Sequence, residues 1–198
     1  MTFRKSIEYK LDKHWKNNQR GFMSFGLVQL GQAATSLGES ELAYHCLRHL
    51  VNRFWLNNLA SMHNHRSLFN MDISGGMPAV IIKMLVTSRP GKIELLPALP
   101  AAWPSGRIEG VLCRGAIEIQ SLEWDGKQIA VTLRSNRPQN IILELPFQIA
   151  QLSVIDGVAR VSPADLANQR TITLPSGSSV SIWRRSTPSE SQIDCNSS

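Results

Sequence analysis

The feature that most constrains this chain is a change of hydrophobic period at Arg89-Pro90-Gly91. Before it, apolar residues recur at helical spacing. After it, they alternate. A stretch patterned at 3.6 residues buries one stripe of a helix, and a stretch patterned at 2 buries one face of a strand, so neither half can adopt the other's structure. The chain is therefore read as α+β, with helices first and strands after.

In the first half, Phe22, Phe25, Leu27, Leu30, Ala33, Ala34 and Leu37 predict a helix over Phe22–Leu37, stopped by Gly38. Leu42/Ala43, Cys46/Leu47, Leu50/Val51, Phe54/Trp55 and Asn58/Leu59 then form adjacent pairs every four residues, which predicts a helix over Glu39–Leu59 with a wide buried stripe. Glu39 and Glu41 lie in its first turn, where the helix dipole favours negative charge. The short connection through Gly38 makes these two helices an antiparallel pair. Ala60–Gly76 reads as a polar loop. Met77–Thr87 reads as a third helix, apolar nearly all round and so deeply buried, with Pro78 in its first turn.

In the second half, eight short strands are expected: Lys92–Leu96, Arg107–Cys113, Ala116–Trp124, Gln128–Arg134, Asn140–Pro146, Ala150–Ile155, Thr171–Leu174 and Ser179–Trp183. Asp125-Gly126 marks a tight hairpin turn. Strands at this spacing suggest an antiparallel β-sandwich. Three segments follow: 1–88 helical, 89–184 sandwich, and 185–198 a polar, disordered tail. The helices cannot cover one another well. They read either as the closing piece of a larger helical assembly or as a layer covered by the sandwich.

Charge divides the same way. Residues 1–90 hold 11 Lys/Arg and 5 Asp/Glu, and residues 91–198 hold 10 of each, so the whole +6 lies in the first half. Five of those cations (Arg4, Lys5, Lys10, Lys13, Lys16) are interspersed with Glu8 and Asp12, without the aromatic interleaving or zinc-finger spacing of a nucleic-acid reader. A solvated terminal face is expected, and no nucleic-acid partner. No apolar run reaches the roughly 18–20 residues that span a bilayer, so no membrane partner is expected either. The first residues lack the apolar core of a secretory signal. Cys46, Cys113 and Cys195 show no CxxC spacing; the first two read as small buried hydrophobes, and a disulfide is left open.

The stretch HNHRSLFNMDISGGMPAVIIKML, from His63 to Leu85, gathers two histidines, an arginine and an aspartate ahead of an apolar helix. Asp72 has two readings: a helix cap beside a Gly-Gly turn, or a carboxylate at the rim of a site. His63, His65 and Arg66 are solvated loop residues or contacts to a ligand hydroxyl. His-x-His without a third ligand is no metal site. Trp15, with His14, Asn17 and Asn18, lines a sugar or packs a terminal arm. Trp103 reads as a core anchor between domains, and Trp124 as a core or hairpin residue with carbohydrate stacking as the minor alternative.

One resemblance joins these features. Leu95-Leu96-Pro97-Ala98-Leu99-Pro100, Trp103, Gly110 and Arg114-Gly115 resemble the LLPALP–W–G–RG pattern that follows the catalytic barrel in glycoside hydrolase family 95, the inverting α-L-fucosidases and their relatives. Asn70-Met71-Asp72-Ile73-Ser74-Gly75-Gly76 stands where the family reads QIDGNFGG, one residue shorter after the aspartate. The resemblance extends over residues 20–185. It implies that 1–88 are the last helices of an (α/α)6 barrel and that the strands form the C-terminal β-sandwich. It implies that the chain is the C-terminal portion of an inverting glycosidase acting on α-L-fucosides or related glycans, with Asp72 on the base side. It implies substrate contacts at His63, His65 and Arg66; Arg66 is in the nearest register to a family histidine, with His65 one place away. The family's general-acid glutamate and partner asparagines lie upstream of anything in this chain, so the chain is expected to be inactive alone. The expected partners are an oligosaccharide and the missing N-terminal barrel portion or a partner chain. No cofactor or metal is implied. Full-length relatives are expected to be secreted or periplasmic. The alternative is a non-catalytic β-sandwich that binds glycans or plays a structural role.

Overall fold

A computed structural model describes residues 2–16, 23–64, 67–126, 128–149, 151–177 and 179–185. Asn17, Asn18, His65, Arg66, Cys195 and the tail from 186, with the side chains of His14 and Trp15, lie outside the described residues. The chain is α+β, with four helices and two antiparallel-rich sheets. It divides into a helical unit, Met1–Leu85 with Leu96–Ala101, and a β unit, Val86–Leu95 with Ala102–Ser198.

The helical unit holds α1 (Phe3–Lys16), α2 (Ser24–Ser36), α3 (Ser40–Phe54) and α4 (Asp72–Leu85). Helix α1 falls where only a solvated terminal face was expected. Its basic residues are exposed, but Ile7 and Leu11, one turn apart, are buried. Ion pairs Arg4–Glu8 at 3.0 Å and Lys16–Asp12 at 2.8 Å link successive turns. Helix α2 ends as expected, with Gly38 in the left-handed region at φ +72°. Helix α3 stops at Phe54, earlier than the pairs at 54/55 and 58/59 imply. Trp55 is extended and pairs with Ser61 across a turn in which the Asn58 Oδ1 accepts the Ala60 N–H at 3.1 Å.

Helix α4 departs most from expectation. It starts at Asp72 rather than Met77, and Val86-Thr87 are strand rather than helix. The Gly-Gly pair is no turn. It lies inside the helix, where a Cβ on Gly76 would stand 2.8 Å from Val28 Cγ1, and one on Gly31 of α2 would stand 3.1 Å from Val80 Cγ1. The glycines let α2 and α4 approach closely. Pro78 accordingly sits in the second turn, where it leaves the Ser74 carbonyl without its i+4 donor. Nor is the helix buried all round: Ile73, Val80, Met84 and Leu85 are buried, while Gly75, Pro78, Ala79 and Ile82 are exposed.

The LLPALP block now has a structural account. Its first leucine ends a strand of the β unit. The next residues belong to the helical unit, where the Leu96 and Ala98 N–H groups donate to the Leu85 and Met84 carbonyls at 2.7 and 3.1 Å. These are orphan acceptors of the last turn of α4. Leu96, Ala98 and Pro100 are buried. The Ala101 N–H donates to Glu41 Oε1 at 2.8 Å, so Glu41 has a partner beyond the helix dipole.

The β unit contains β1 (Val86–Arg89), β2 (Lys92–Leu95), β3 (Gly106–Cys113), β4 (Ile117–Trp124), β5 (Gln128–Ser135), β6 (Gln139–Glu144), β7 (Ser153–Asp156), β8 (Arg160–Pro163), β9 (Gln169–Leu174) and β10 (Ser179–Arg185). One sheet has the order β1-β2-β6-β9-β8, the other β3-β4-β5-β10-β7. Two strands go beyond the expected eight. β1 (VTSR) starts directly after α4, and only its buried Val86 continues the apolar run of that helix. β8 is a four-residue sheet edge ending in Pro163, the place where a missing N–H is tolerated. The arrangement is not wholly antiparallel: β2 and β6 are parallel, Ile93 opposite Leu143. Alternation says which face of a strand is buried, not which way its neighbour runs.

The core follows the alternation. Ile93, Leu95, Ile141, Leu143, Ile172 and Leu174 form the buried face of the first sheet, and Ile117, Ile119, Leu122, Ile129, Val131, Leu133, Val180 and Ile182 that of the second. In β4 the apolar positions slip by one between Ile119 and Leu122. A bulge between Ile119 and Ser121 absorbs the extra residue, so both halves of the strand face inward. The β4–β5 connection turns at Asp125-Gly126 as expected, with Gly126 at φ +79° and Asp125 Oδ1 accepting the Gln128 N–H at 2.8 Å.

Candidate active site

The segment between α3 and α4 carries the candidate residues. Two single-rung ladders pin it, Trp55 with Ser61 and Met62 with Phe69. The Met62 N–H donates to the Phe54 carbonyl at the end of α3, at 2.8 Å. The His63 N–H donates to Leu68 O at 2.6 Å, and the His63 carbonyl accepts the first N–H of α2, that of Ser24, at 2.9 Å. Met23 gives α2 no side-chain cap, so this carbonyl from the loop takes that place. The loop is thus fastened to three helix ends. His63 is half-buried, and its Nδ1 is hydrogen-bonded to Asn64 Oδ1.

Asp72 is the first residue of α4 and is exposed. Its backbone N–H donates to Asn70 Oδ1 at 2.6 Å, so the acceptor at this helix start comes from Asn70 and not from Asp72. Among the described residues, no hydrogen bond or ion pair reaches the Asp72 carboxylate. Its chain neighbours Leu68, Phe69 and Met71 are 61%, 63% and 73% exposed. A carboxylate without a partner among the described residues, beside uncovered apolar side chains, has lone pairs open to a water or a hydroxyl.

The sequence places His63 and Asp72 on one loop; in the structure His63 lies between α3 and α4, and Asp72 is the first residue of α4. The sequence had no signal for Asn70 and Ser61, whose polar side chains are buried at 6% and 0% exposure. Residue type alone puts both in solvent.

Other reactive groups are accounted for. Burial pushes the Cys46 thiol up to about 12, and also raises that of Cys113 against a hydrogen bond from Ser88, so neither is a ready nucleophile. Both are free thiols. Among the described residues, no group of three or more His, Cys, Asp or Glu is placed to hold a metal ion. A groove of about 450 Å³ lined by Glu8, Asp12, Leu42, His45, Arg48 and Asn52 does not include Asp72. Trp124 is 7% exposed and donates its Nε1–H to the Trp103 carbonyl at 3.0 Å, with Gly106 against its ring; it is a core residue, not a sugar platform.

Residues 87–176, from β1 through β9, match the model of the glycoside hydrolase family 95 C-terminal domain. Over those residues the chain is similar to that domain. Alpha-L-fucosidase 2 of Arabidopsis thaliana is 34% identical to it over 97 residues, which cover 44% of this chain and 11% of that protein. The chain thus spans a small fraction of the length of that curated relative. Among solved structures, an alpha-amylase from H. orenii aligns at 15% identity with a TM-score of 0.28, over 41% of this chain and 16% of that one, a likeness too slight to bear on the fold. The family 95 match lies wholly downstream of Asp72.

Proposed function

We propose that this chain is the C-terminal portion of an inverting glycoside hydrolase acting on α-L-fucosides or related glycans, and that α1–α4 are the last helices of its (α/α)6 barrel. Asp72 is the base-side carboxylate. His63, His65 and Arg66 contact substrate hydroxyls. The acid and the remaining wall of the sugar pocket come from an N-terminal barrel portion or a partner chain. The observation that carries the reading is the position of Asp72: an exposed carboxylate, without a partner among the described residues, at the start of a helix that follows a fastened loop and precedes a stretch similar to the family 95 C-terminal domain. The uncovered apolar side chains around it support a missing wall, because sugar sites enclose their ligand.

Inversion needs an acid to protonate the leaving oxygen while the base takes a proton from water on the opposite face, with the two carboxyl groups roughly 6.5–9.5 Å apart. One carboxylate cannot do both, and loss of the acid alone removes about 10²–10⁴ in rate. The 198-residue chain is therefore inactive by itself. The test expresses the chain joined to the barrel polypeptide encoded in frame upstream and follows an aryl α-L-fucoside by proton NMR. Turnover with the β-anomer appearing first is expected. Retention of configuration, no turnover, or turnover by the isolated chain would overturn the reading.

One observation favours a second reading, a non-catalytic β module: the family match falls on the β unit alone. In that case the isolated β unit binds glycans, and Asp72→Ala leaves the binding unchanged.

A further inference from the structure

We infer that Asn70 is a positioning residue for Asp72, fixing the backbone from which the carboxylate projects; this rests on the reading of Asp72 as the base-side group. Asn70 is 6% exposed, yet the apolar residues on either side of it, Phe69 and Met71, are 63% and 73% exposed. The loop buries its carboxamide and leaves its apolar side chains out, the reverse of ordinary partitioning. The side-chain oxygen and both backbone polar groups of Asn70 are engaged. Asn70 Oδ1 accepts the Asp72 N–H at 2.6 Å, the Asn70 N–H donates to Ser61 O at 2.8 Å, and the Asn70 carbonyl accepts the Ser61 hydroxyl.

Ser61 then reaches the other side of Asp72. Its Oγ lies 3.0 Å from Ser74 Oγ in the first turn of α4. Residues 70 and 74 are thereby tied to one buried point, which the Met62 N–H anchors to the end of α3. Position 71 is an exposed methionine, and the side-chain acceptor at this helix start is Asn70 Oδ1, which bonds two residues on to the N–H of Asp72 itself. The result is a fixed backbone carrying a side chain that has no hydrogen-bond or ion-pair partner among the described residues. A general base requires both, since small displacements of a reacting group are costly.

The test uses the joined enzyme and four variants, Asn70→Leu, Asn70→Asp, Ser61→Ala and Asp72→Asn, with kcat, KM and Tm measured for each. Asn70→Leu is expected to lower kcat about ten- to a hundredfold with KM within about twofold. Asn70→Asp keeps an oxygen at the same place and is expected to restore most of kcat. Ser61→Ala, which removes only a hydroxyl and keeps the enzyme folded should Asn70→Leu not fold, is expected to give the same split with a smaller loss. Loss of kcat no greater than the loss of folded protein, with Asn70→Asp no better than Asn70→Leu, would make the role structural and overturn the inference. If Asp72→Asn abolishes turnover and neither Asn70→Leu nor Ser61→Ala changes kcat, the inference fails while the reading of Asp72 stands. If Asp72→Asn leaves turnover intact, or the unsubstituted enzyme shows none, the reading fails and the inference with it.

Discussion

The helical and β units solve the burial problem to different degrees. Among the described residues, the β unit exposes four large hydrophobic side chains, Leu112, Ile155, Val158 and Leu166, while strands such as β2 and β5 bury alternate residues. The smaller helical unit exposes eleven, among them Phe25, Leu59, Leu68, Phe69, Met71 and Ile82. The polar groups are distributed the opposite way. In the helical unit, buried hydrogen bonds through Ser61 and Asn70 hold the segment leading into Asp72, whose carboxylate has no partner among the described residues. The contrast is that the β unit covers most of its large apolar side chains with its own residues while the helical unit leaves more of its own uncovered, which supports the proposal that further polypeptide completes the Asp72 end.

Four measurements sharpen or break this comparison. The largest effect is expected in the closed unit. Trp124→Ala removes a buried indole, its hydrogen bond to Trp103 O and the surface that Gly106 packs on, and should cost about 3–5 kcal/mol in the unfolding of the β unit. A loss under about 1 kcal/mol would mean that this core is looser than described. Next is Gly76→Ala, whose new methyl would press on Val28; a loss of about 1–3 kcal/mol is expected from the helical unit, relieved by Val28→Ala in the double variant.

A smaller effect concerns Glu144. Burial pushes its carboxyl up, but hydrogen bonds from Lys92, at 2.9 Å, and Gln169, with the charges of Lys92 and Arg89, outweigh that and hold it below the ordinary range. A depressed carboxyl stabilises the fold above its unfolded value of about 4.3 and loses that contribution as pH falls through the lower folded value. Glu144→Gln should therefore cost on the order of 1 kcal/mol at neutral pH, with the gap to the parent closing only in acid below about pH 4. A gap that widens in acid would contradict the sign. The smallest effect on stability is expected at the open end. Phe69→Ser with Met71→Ser should change unfolding by about 0.5 kcal/mol or less, as exposed positions do. The same pair should lower self-association, read by light scattering, because it removes the uncovered patch. Unchanged association would place the sticky surface elsewhere.

The legibility of the two units in sequence differs for physical reasons. Alternation reports burial directly, so the strands read at Ala116–Trp124 and Gln128–Arg134 stand in the structure at Ile117–Trp124 and Gln128–Ser135, and the turn at Asp125-Gly126 needs only local chemistry. The parallel pairing of β2 with β6 was not legible, because it depends on residues far apart in the chain. In the helical unit, period alone extends α3 past Phe54, while the Asn57–Leu59 turn ends it. Gly75-Gly76 reads as a turn by residue type, yet Val28 on α2 decides that Gly76 is a contact inside α4. Of the candidate site, Asp72 was visible through its motif. Asn70 was not, because a polar residue gives no sign in sequence that it will be buried.

The most direct test of the account is the kcat of the joined enzyme with Asp72→Asn, which removes the base and keeps the shape. The account predicts a fall of at least about a hundredfold on an aryl α-L-fucoside, with an unchanged melting temperature. A kcat within about twofold of the parent would show that the carboxylate at the start of α4 takes no part in the chemistry.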